Sequence, residues 1–211
     1  MSHANPGALR RAAAHRPRTL SAIALFVAGL AAVPGASAQG FNMSAAIGVY
    51  SPRSSTFWLD GNYDRNPDMR HAFGQLGDIG LLADPVGSGA LAPVVFRNGT
   101  WLFDLDRNGA PDRTVVFGQA GDIPLVADVD GDGKDDLVVW RGGQWLVNTR
   151  MDGTTQYTFQ FGGGRGDVPM IGDVNGDGSV DLVIYNRGSW FVSLNRGSSV
   201  QQTYVHTMAA G

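Results

Sequence analysis

The sequence predicts an all-β chain: a β-propeller-like array of about four four-stranded blades, the first of them incomplete, after an N-terminal signal peptide. Three observations lead there. All 19 acidic residues are Asp, only one Lys (Lys134) occurs, and Gly is found 30 times in 211 residues. Helices draw on Glu and Lys for their exposed faces, whereas Asp, Gly, Asn and Ser serve tight turns. The dipeptide Phe-Gly recurs at Phe73-Gly74, Phe117-Gly118 and Phe161-Gly162, a period of 44 residues, which is the length of a propeller blade. Finally, no stretch beyond the leader sustains a 3.6-residue hydrophobic period.

The leader comes first in the chain. Arg10, Arg11, Arg16 and Arg18 precede the apolar run Leu20–Val33, which is followed by Pro34 and Ala36-Ser37-Ala38. This is the basic, apolar and small-residue succession of a secretory signal at residues 1–38. The run is shorter than the roughly 20 residues that span a bilayer, so cleavage after Ala38 is expected over an uncleaved anchor. Export to the periplasm or outside the cell follows, with no stable membrane span afterwards. Residues 39–46 read as a linker. The remaining chain holds 11 Arg and one Lys against 19 Asp, a net charge of −7. Such a chain has no electrostatic attraction to nucleic acid. With no Cys, disulfides, thiolate metal sites and a cysteine nucleophile are excluded.

Four repeats follow, at residues 47–74, 75–118, 119–162 and 163–206, with a tail at 207–211. In the first, strands are expected at Ile47–Tyr50, Phe57–Leu59 and Met69–Phe73, and a fourth is missing. The third repeat is the clearest. Ile123–Ala127 is its first strand. Asp136–Arg141 is the second, rich in β-branched and aromatic residues. Gly142-Gly143 makes a two-residue hairpin turn, matched by Asn98-Gly99 and Arg187-Gly188. Gln144–Thr149 and Thr155–Phe161 are the third and fourth strands. Gly-Asp follows each Phe-Gly, at Gly77-Asp78, Gly121-Asp122 and Gly166-Asp167. Trp101, Trp145 and Trp190 keep the same step, and Trp58 is read as the start of their series. These aromatics, with Phe96, Trp140 and Tyr185, are expected to pack between blades. Fifteen strands leave the ring one short. Four blades could close with help from a terminal segment, or form an open arc that self-association or another partner covers.

The carboxylates concentrate in loops. Between the first and second strands of the third repeat stand Asp128, Asp130, Asp132, Lys134 and Asp136, at positions 1, 3, 5, 7 and 9, with Gly133 at position 6. Side chains at 1, 3, 5 and 9 and the carbonyl at 7 are hard oxygen ligands, the chemistry of Ca²⁺. The fourth repeat has Asp173, Asn175, Asp177, Ser179 and Asp181 in the same places. In the second, Asp84, Val86, Ser88, Ala90 and Ala92 have lost the pattern, and no metal is expected. A second family lies between third and fourth strands. It comprises Asp104, Asp106, Asn108, Ala110 and Asp112, and, 44 residues earlier, Asp60, Asn62, Asp64, Asn66 and Asp68. Arg65 holds position 6 of that earlier loop, where positive φ would strain it. Asn148, Arg150, Asp152, Thr154 and Gln156 are the depleted equivalent in the third repeat. Four bound Ca²⁺ would bring the mature charge close to neutrality. The competing reading is that these Asp residues only form Asx-turns.

Phe-Gly, Gly-Asp-x-Pro at Gly121 and Gly166, and the acidic loop at 128–136 followed by an aromatic strand together resemble the FG-GAP or VCBS repeat. That family is similar to the integrin α-chain propeller and includes bacterial surface proteins and some fungal lectins. The resemblance implies Ca²⁺ in the loops carried by Asp128, Asp130, Asp132 and Asp136 and by Asp173, Asn175, Asp177 and Asp181. It also implies a binding or adhesion module for a protein or glycan. A lectin is one alternative, with Trp140 and Arg141 as candidate sugar contacts. A hydrolase, or a module accessory to one, is another. No nucleophile elbow, HExxH motif, P-loop or dinucleotide fingerprint occurs, and a residue used once per active site has no reason to recur every 44 positions. No catalytic residue is therefore assigned.

Overall fold

The computed structural model describes residues 47–61 and 64–194 and the strand at 203–207. The leader at 1–38, the linker at 39–46, Asn62 and residues 208–211 lie outside the described residues. The architecture is all-β, in four antiparallel sheets that follow one another along the chain. Blade one is three-stranded: β1 (Ile47–Ser51), β2 (Thr56–Asp60) and β3 (Met69–Ala72). Blade two holds β4 (Ile79–Ala83), β5 (Ala92–Arg97), β6 (Thr100–Phe103) and β7 (Arg113–Val116). Blade three holds β8 (Ile123–Ala127), β9 (Asp136–Arg141), β10 (Gln144–Asn148) and β11 (Tyr157–Gln160). Blade four holds β12 (Val168–Gly172), β13 (Asp181–Asn186), β14 (Ser189–Ser193) and β15 (Thr203–Thr207). Each is a simple meander, the blade pattern that the repeat implied. The first strands line up, β4 beside β8 and β8 beside β12, and β1 lies against β4. β11 is shorter than expected at both ends, and β15 runs one residue past the fourth repeat.

The second strands, such as Pro-Val-Val-Phe in β5 and Leu-Val-Val-Trp in β9, are apolar at every position. A strand with one wet face would alternate. Each central blade is buried on both faces, and alternate residues serve opposite neighbours. Val95 packs towards blade one with Tyr50, Phe57 and Leu59. Val94 and Phe96 pack towards blade three against Leu137 and Val139. Val138 and Trp140 then pack towards blade four against Leu182 and Ile184.

Cross-strand pairing sets which aromatic goes where. Phe96 pairs with Trp101, Trp140 with Trp145 and Tyr185 with Trp190. In blade one the equivalent pair is Tyr50 with Phe57. The aromatic series therefore starts at Phe57, not at Trp58 as the sequence suggested. A shift of one residue in a strand moves a side chain to the other face. Trp58 is half-buried with the Arg70 guanidinium 5.9 Å from its ring centre. Trp101 and Trp145 are fully buried. Their indole N–H groups donate to the carbonyls of Phe117 and Phe161 at 2.9 Å, which satisfies their only polar atom.

Phe-Gly marks the corner from one blade to the next. Gly118 adopts φ of +91°, and a Cβ there would lie 2.9 Å from the Asp122 carboxylate and 3.0 Å from Val139. Both the left-handed backbone and the closeness of the next blade require glycine.

Candidate functional site: the acidic loops

Six nine-residue loops lie at hairpin ends, and hydrogen bonds from side chains to backbone amides shape them. In the 128–136 loop, Asp128 accepts from the backbone N–H of Gly131, Asp132 and Gly133 at 2.7, 3.0 and 2.9 Å. Asp136 accepts from Val129 and Asp130 at 2.8 and 3.3 Å. The 173–181 loop repeats this. Gly176, Asp177 and Gly178 donate to Asp173, and Val174 donates to Asp181. In the 104–112 loop, Asn108 and Gly109 donate to Asp104, and Leu105 and Asp106 donate to Asp112. In the 60–68 loop, Arg65 donates to Asp60 and Gly61 to Asp68.

The two depleted loops keep the same scheme. Ser88 and Gly89 donate to Asp84, and Thr149 donates to the Gln156 side-chain oxygen at 2.8 Å. The turn is thus built with or without a full acidic set. Backbone conformation is shared too. Position 6 has positive φ in Gly133, Gly178, Gly109, Gly89, Gly153 and, as expected, Arg65 at +75°. Position 4 does the same, in Gly131 and Gly176 and also in Arg107 (+59°) and Met151 (+54°). That requirement escaped the sequence reading, because Arg and Met carry no signal for a left-handed backbone.

The loops differ in how many carboxylates converge. Among the described residues, Asp128, Asp130 and Asp136 bring ligand oxygens within 4.8 Å of one another, and so do Asp104, Asp106 and Asp112. These trios could hold a metal ion. In the 173–181 loop the middle place is an amide, Asn175, whose Nδ2 donates to Asp177 at 2.9 Å. Lys134 and Ser179 stand at position 7, where the backbone N–H donates to position 5, to Asp132 and Asp177 respectively. Ala110 and Asn66 at position 7 also donate backbone N–H groups, to Asn108 and Asp64.

Electrostatics follow from crowding. Burial, with the charges of Asp130 and Asp128 adding to it, pushes the Asp136 carboxyl up to about 7. Asp181 is raised by burial and by Asp177 and Asp173. Asp132, exposed and 2.6 Å from the Lys134 ammonium, is lowered by that hydrogen bond. Asp135 is raised, mainly by burial, and its carboxylate accepts the Asp84 N–H at 2.7 Å, tying the loops of blades two and three together.

Two arrangements were not anticipated. The Asp of each Gly-Asp is a clamp. Asp78 takes Arg97 through two bonds of 2.7 Å, and Asp122 takes Arg141 at 2.7 and 2.8 Å. Each also caps its own turn, accepting from Gln75 and Gln119. The legible signal was an Arg 19 residues after the Asp in both repeats. In blade four Asn186 takes that place against Asp167. Secondly, His71 Nε2 of blade one lies 2.6 Å from Asp104 Oδ2. Trp140 is buried against blade four, as the aromatic series implied, and Arg141 is held by Asp122. This removes the proposed sugar contacts, because an aromatic used as core has no free face to stack.

A meander of blades with acidic loops at hairpin ends defines a propeller-like repeat protein. Residues 128–184, from the blade-three loop into the second strand of blade four, match the FG-GAP-like repeat family model. No curated protein matches the chain. Among solved structures, the chain is similar to an Agrocybe aegerita lectin described for specific recognition of non-reducing terminal N-acetylglucosamine. They share 19% identity and a TM-score of 0.52, over 79% of this chain and 50% of the lectin. It is also similar to BBS1N, solved in complex with ARL6DN, at 12% identity and a TM-score of 0.46, over 78% of this chain and 53% of that one. The chain spans about half the length of these structures. Among the described residues no helix is long and apolar enough to cross a membrane.

Proposed function

We propose that this is an exported, Ca²⁺-stabilised propeller-repeat module that binds another macromolecule, protein or glycan, and performs no catalysis. The observation that carries the reading is the convergence of three carboxylates in each of two loops whose backbone is already folded for them. The donor set fits a hard cation: all-oxygen ligands, no thiol, and a buried carboxyl at Asp136 crowded by the charges of Asp130 and Asp128. Asp128, Asp130, Asp132 and Asp136 with the Lys134 carbonyl would hold one ion, and Asp104, Asp106, Asn108 and Asp112 with the Ala110 carbonyl another. Asp173, Asn175, Asp177, Asp181 and the Ser179 carbonyl form the third candidate. Asp60, Asn62, Asp64, Asp68 and the Asn66 carbonyl form the fourth. A bound ion supplies positive charge that offsets the crowded carboxylates. The residues then hold the hairpin ends in one shape, so that the loops present a fixed surface.

In this reading the leader at 1–38 is removed, 39–46 is a linker, and the repeats run over 47–74, 75–118, 119–162 and 163–206 before a tail at 207–211. The destination is the periplasm or the cell exterior. The test is a melting curve with Ca²⁺ against chelator. A ligand at 100 times its dissociation constant adds about 2.7 kcal/mol per site, so the midpoint should rise by several degrees. An unchanged midpoint at millimolar Ca²⁺ ends the metal reading. Likeness to the lectin fold favours a glycan as the second kind of ligand. A glycan panel read by tryptophan emission decides it, with no perturbation by any sugar counting against.

A further inference from the structure

We infer that the outer face of blade four is a docking surface for blade one of a second copy of this chain. Three interfaces inside the chain follow one rule: an aromatic cross-strand pair of one blade meets a pair of the next that carries a β-branched aliphatic residue, Val95, Val139 or Ile184. Tyr50–Phe57 meets Val95–Leu102 between blades one and two. Phe96–Trp101 meets Val139–Leu146 between two and three. Trp140–Trp145 meets the face bearing Ile184–Phe191 between three and four.

Two faces are left over, and they are the two halves of a fourth such interface. Blade four carries Tyr185–Trp190, with ring centres 5.0 Å apart, the same separation as in the buried Phe96–Trp101 pair. Both rings are half-exposed, whereas Trp101 and Trp145 are fully buried. Blade one carries Val49 paired with Trp58. Val49 is 39% exposed, while Val95, Val139 and Ile184 at the same register are 0, 0 and 2%. None of Val49, Trp58, Tyr185 and Trp190 belongs to an apolar cluster of the described residues. Among the described residues, no apolar cluster joins these two faces to one another.

A second copy offers the missing counterpart for each. Such a contact is head-to-tail, different patches meeting, and two copies can make it twice to close one ring.

The experiment is light-scattering mass and sedimentation of the exported chain, in Ca²⁺-containing buffer, over a dilution series. The expected species is a dimer whose tryptophans become more accessible to acrylamide as it dissociates. Trp190→Asp, with its aromatic face removed, and Val49→Arg, with its aliphatic face removed, should each give a folded monomer by circular dichroism. Mixed together, the two variants should recover a dimer, since the intact blade-one face of one meets the intact blade-four face of the other. A monomeric wild type overturns the proposal. So does a dimer that survives either folded variant, or folded variants that fail to complement one another. Should a variant not fold, the wild-type dilution series decides on its own.

Discussion

Asp136→Asn separates the two things this carboxylate does. Asp136 is 1% exposed, and its Oδ2 accepts from Val129 and Asp130. An amide oxygen can accept both bonds, so the turn survives while one negative charge leaves the cluster. In the metal-free protein, burial and the neighbouring carboxylates lift Asp136 from an ordinary 3.8 to about 7. That difference corresponds to ~4 kcal/mol against ionisation and sets the ceiling of the effect. Between the two values the native state keeps a proton that the unfolded state has lost. Metal-free stability therefore falls as pH rises from about 4 to about 7, and levels off above. The variant lacks this slope. In chelator at pH 8 it should be more stable than wild type, by at most ~4 kcal/mol, and near pH 4 the two should converge. In Ca²⁺ the variant should lose this loop's share of stabilisation, about 2.7 kcal/mol at 100-fold saturation. Urea unfolding followed by tryptophan emission, at several pH values with chelator and with Ca²⁺, measures all three quantities. Wild type more stable than the variant in chelator at pH 8, or equal Ca²⁺ responses in both proteins, would refute the reasoning.

Other substitutions probe the scaffold. Trp145→Ala empties the interface between blades three and four and leaves the Phe161 carbonyl only the longer bond from the Trp140 indole, at 3.4 Å; equilibrium unfolding should show a loss of about 3–5 kcal/mol. Arg141→Ala leaves the buried Asp122 carboxylate with only its turn contacts. A loss of ~1–3 kcal/mol is expected, and Asp122→Asn with Arg141→Ala together should cost less than the sum of the two. Gly118→Ala forces a Cβ into a left-handed backbone beside Val139, and should lower stability by ~1–3 kcal/mol in the same assay. Leu76→Ser, at a corner residue that is 75% exposed, is the control and should change stability by no more than about 0.5 kcal/mol.

Much of the blade plan was readable. β8 and β9 begin and end where the residues placed them, because Gly and Asp turns bracket short β-branched runs. The hairpin Gly142-Gly143 carries positive φ at both residues, as its turn type demands. The Trp58 error shows the boundary of that legibility. Strand periodicity is two, so only the pairing of Tyr50 with Phe57 reveals which neighbour faces the core. Trp140 packs between blades, as its place in the repeating aromatic series implied, and that burial excludes the alternative of a sugar platform with Arg141.

The sequence alone determined the number of blades, the strand order within them and the positions of the acidic loops. Each of these depends on local turn chemistry repeated at a fixed step. Tertiary structure decided the rest. It showed that the Gly-Asp carboxylates Asp78 and Asp122 belong to Arg clamps, that Asp104 meets His71 across a blade boundary, and that two of the acidic loops gather three carboxylates. Among the described residues it also left Val49 of the first blade, and Tyr185 and Trp190 of the last, less buried than their counterparts between blades. Those facts depend on distances between residues far apart in the chain, which no local pattern encodes.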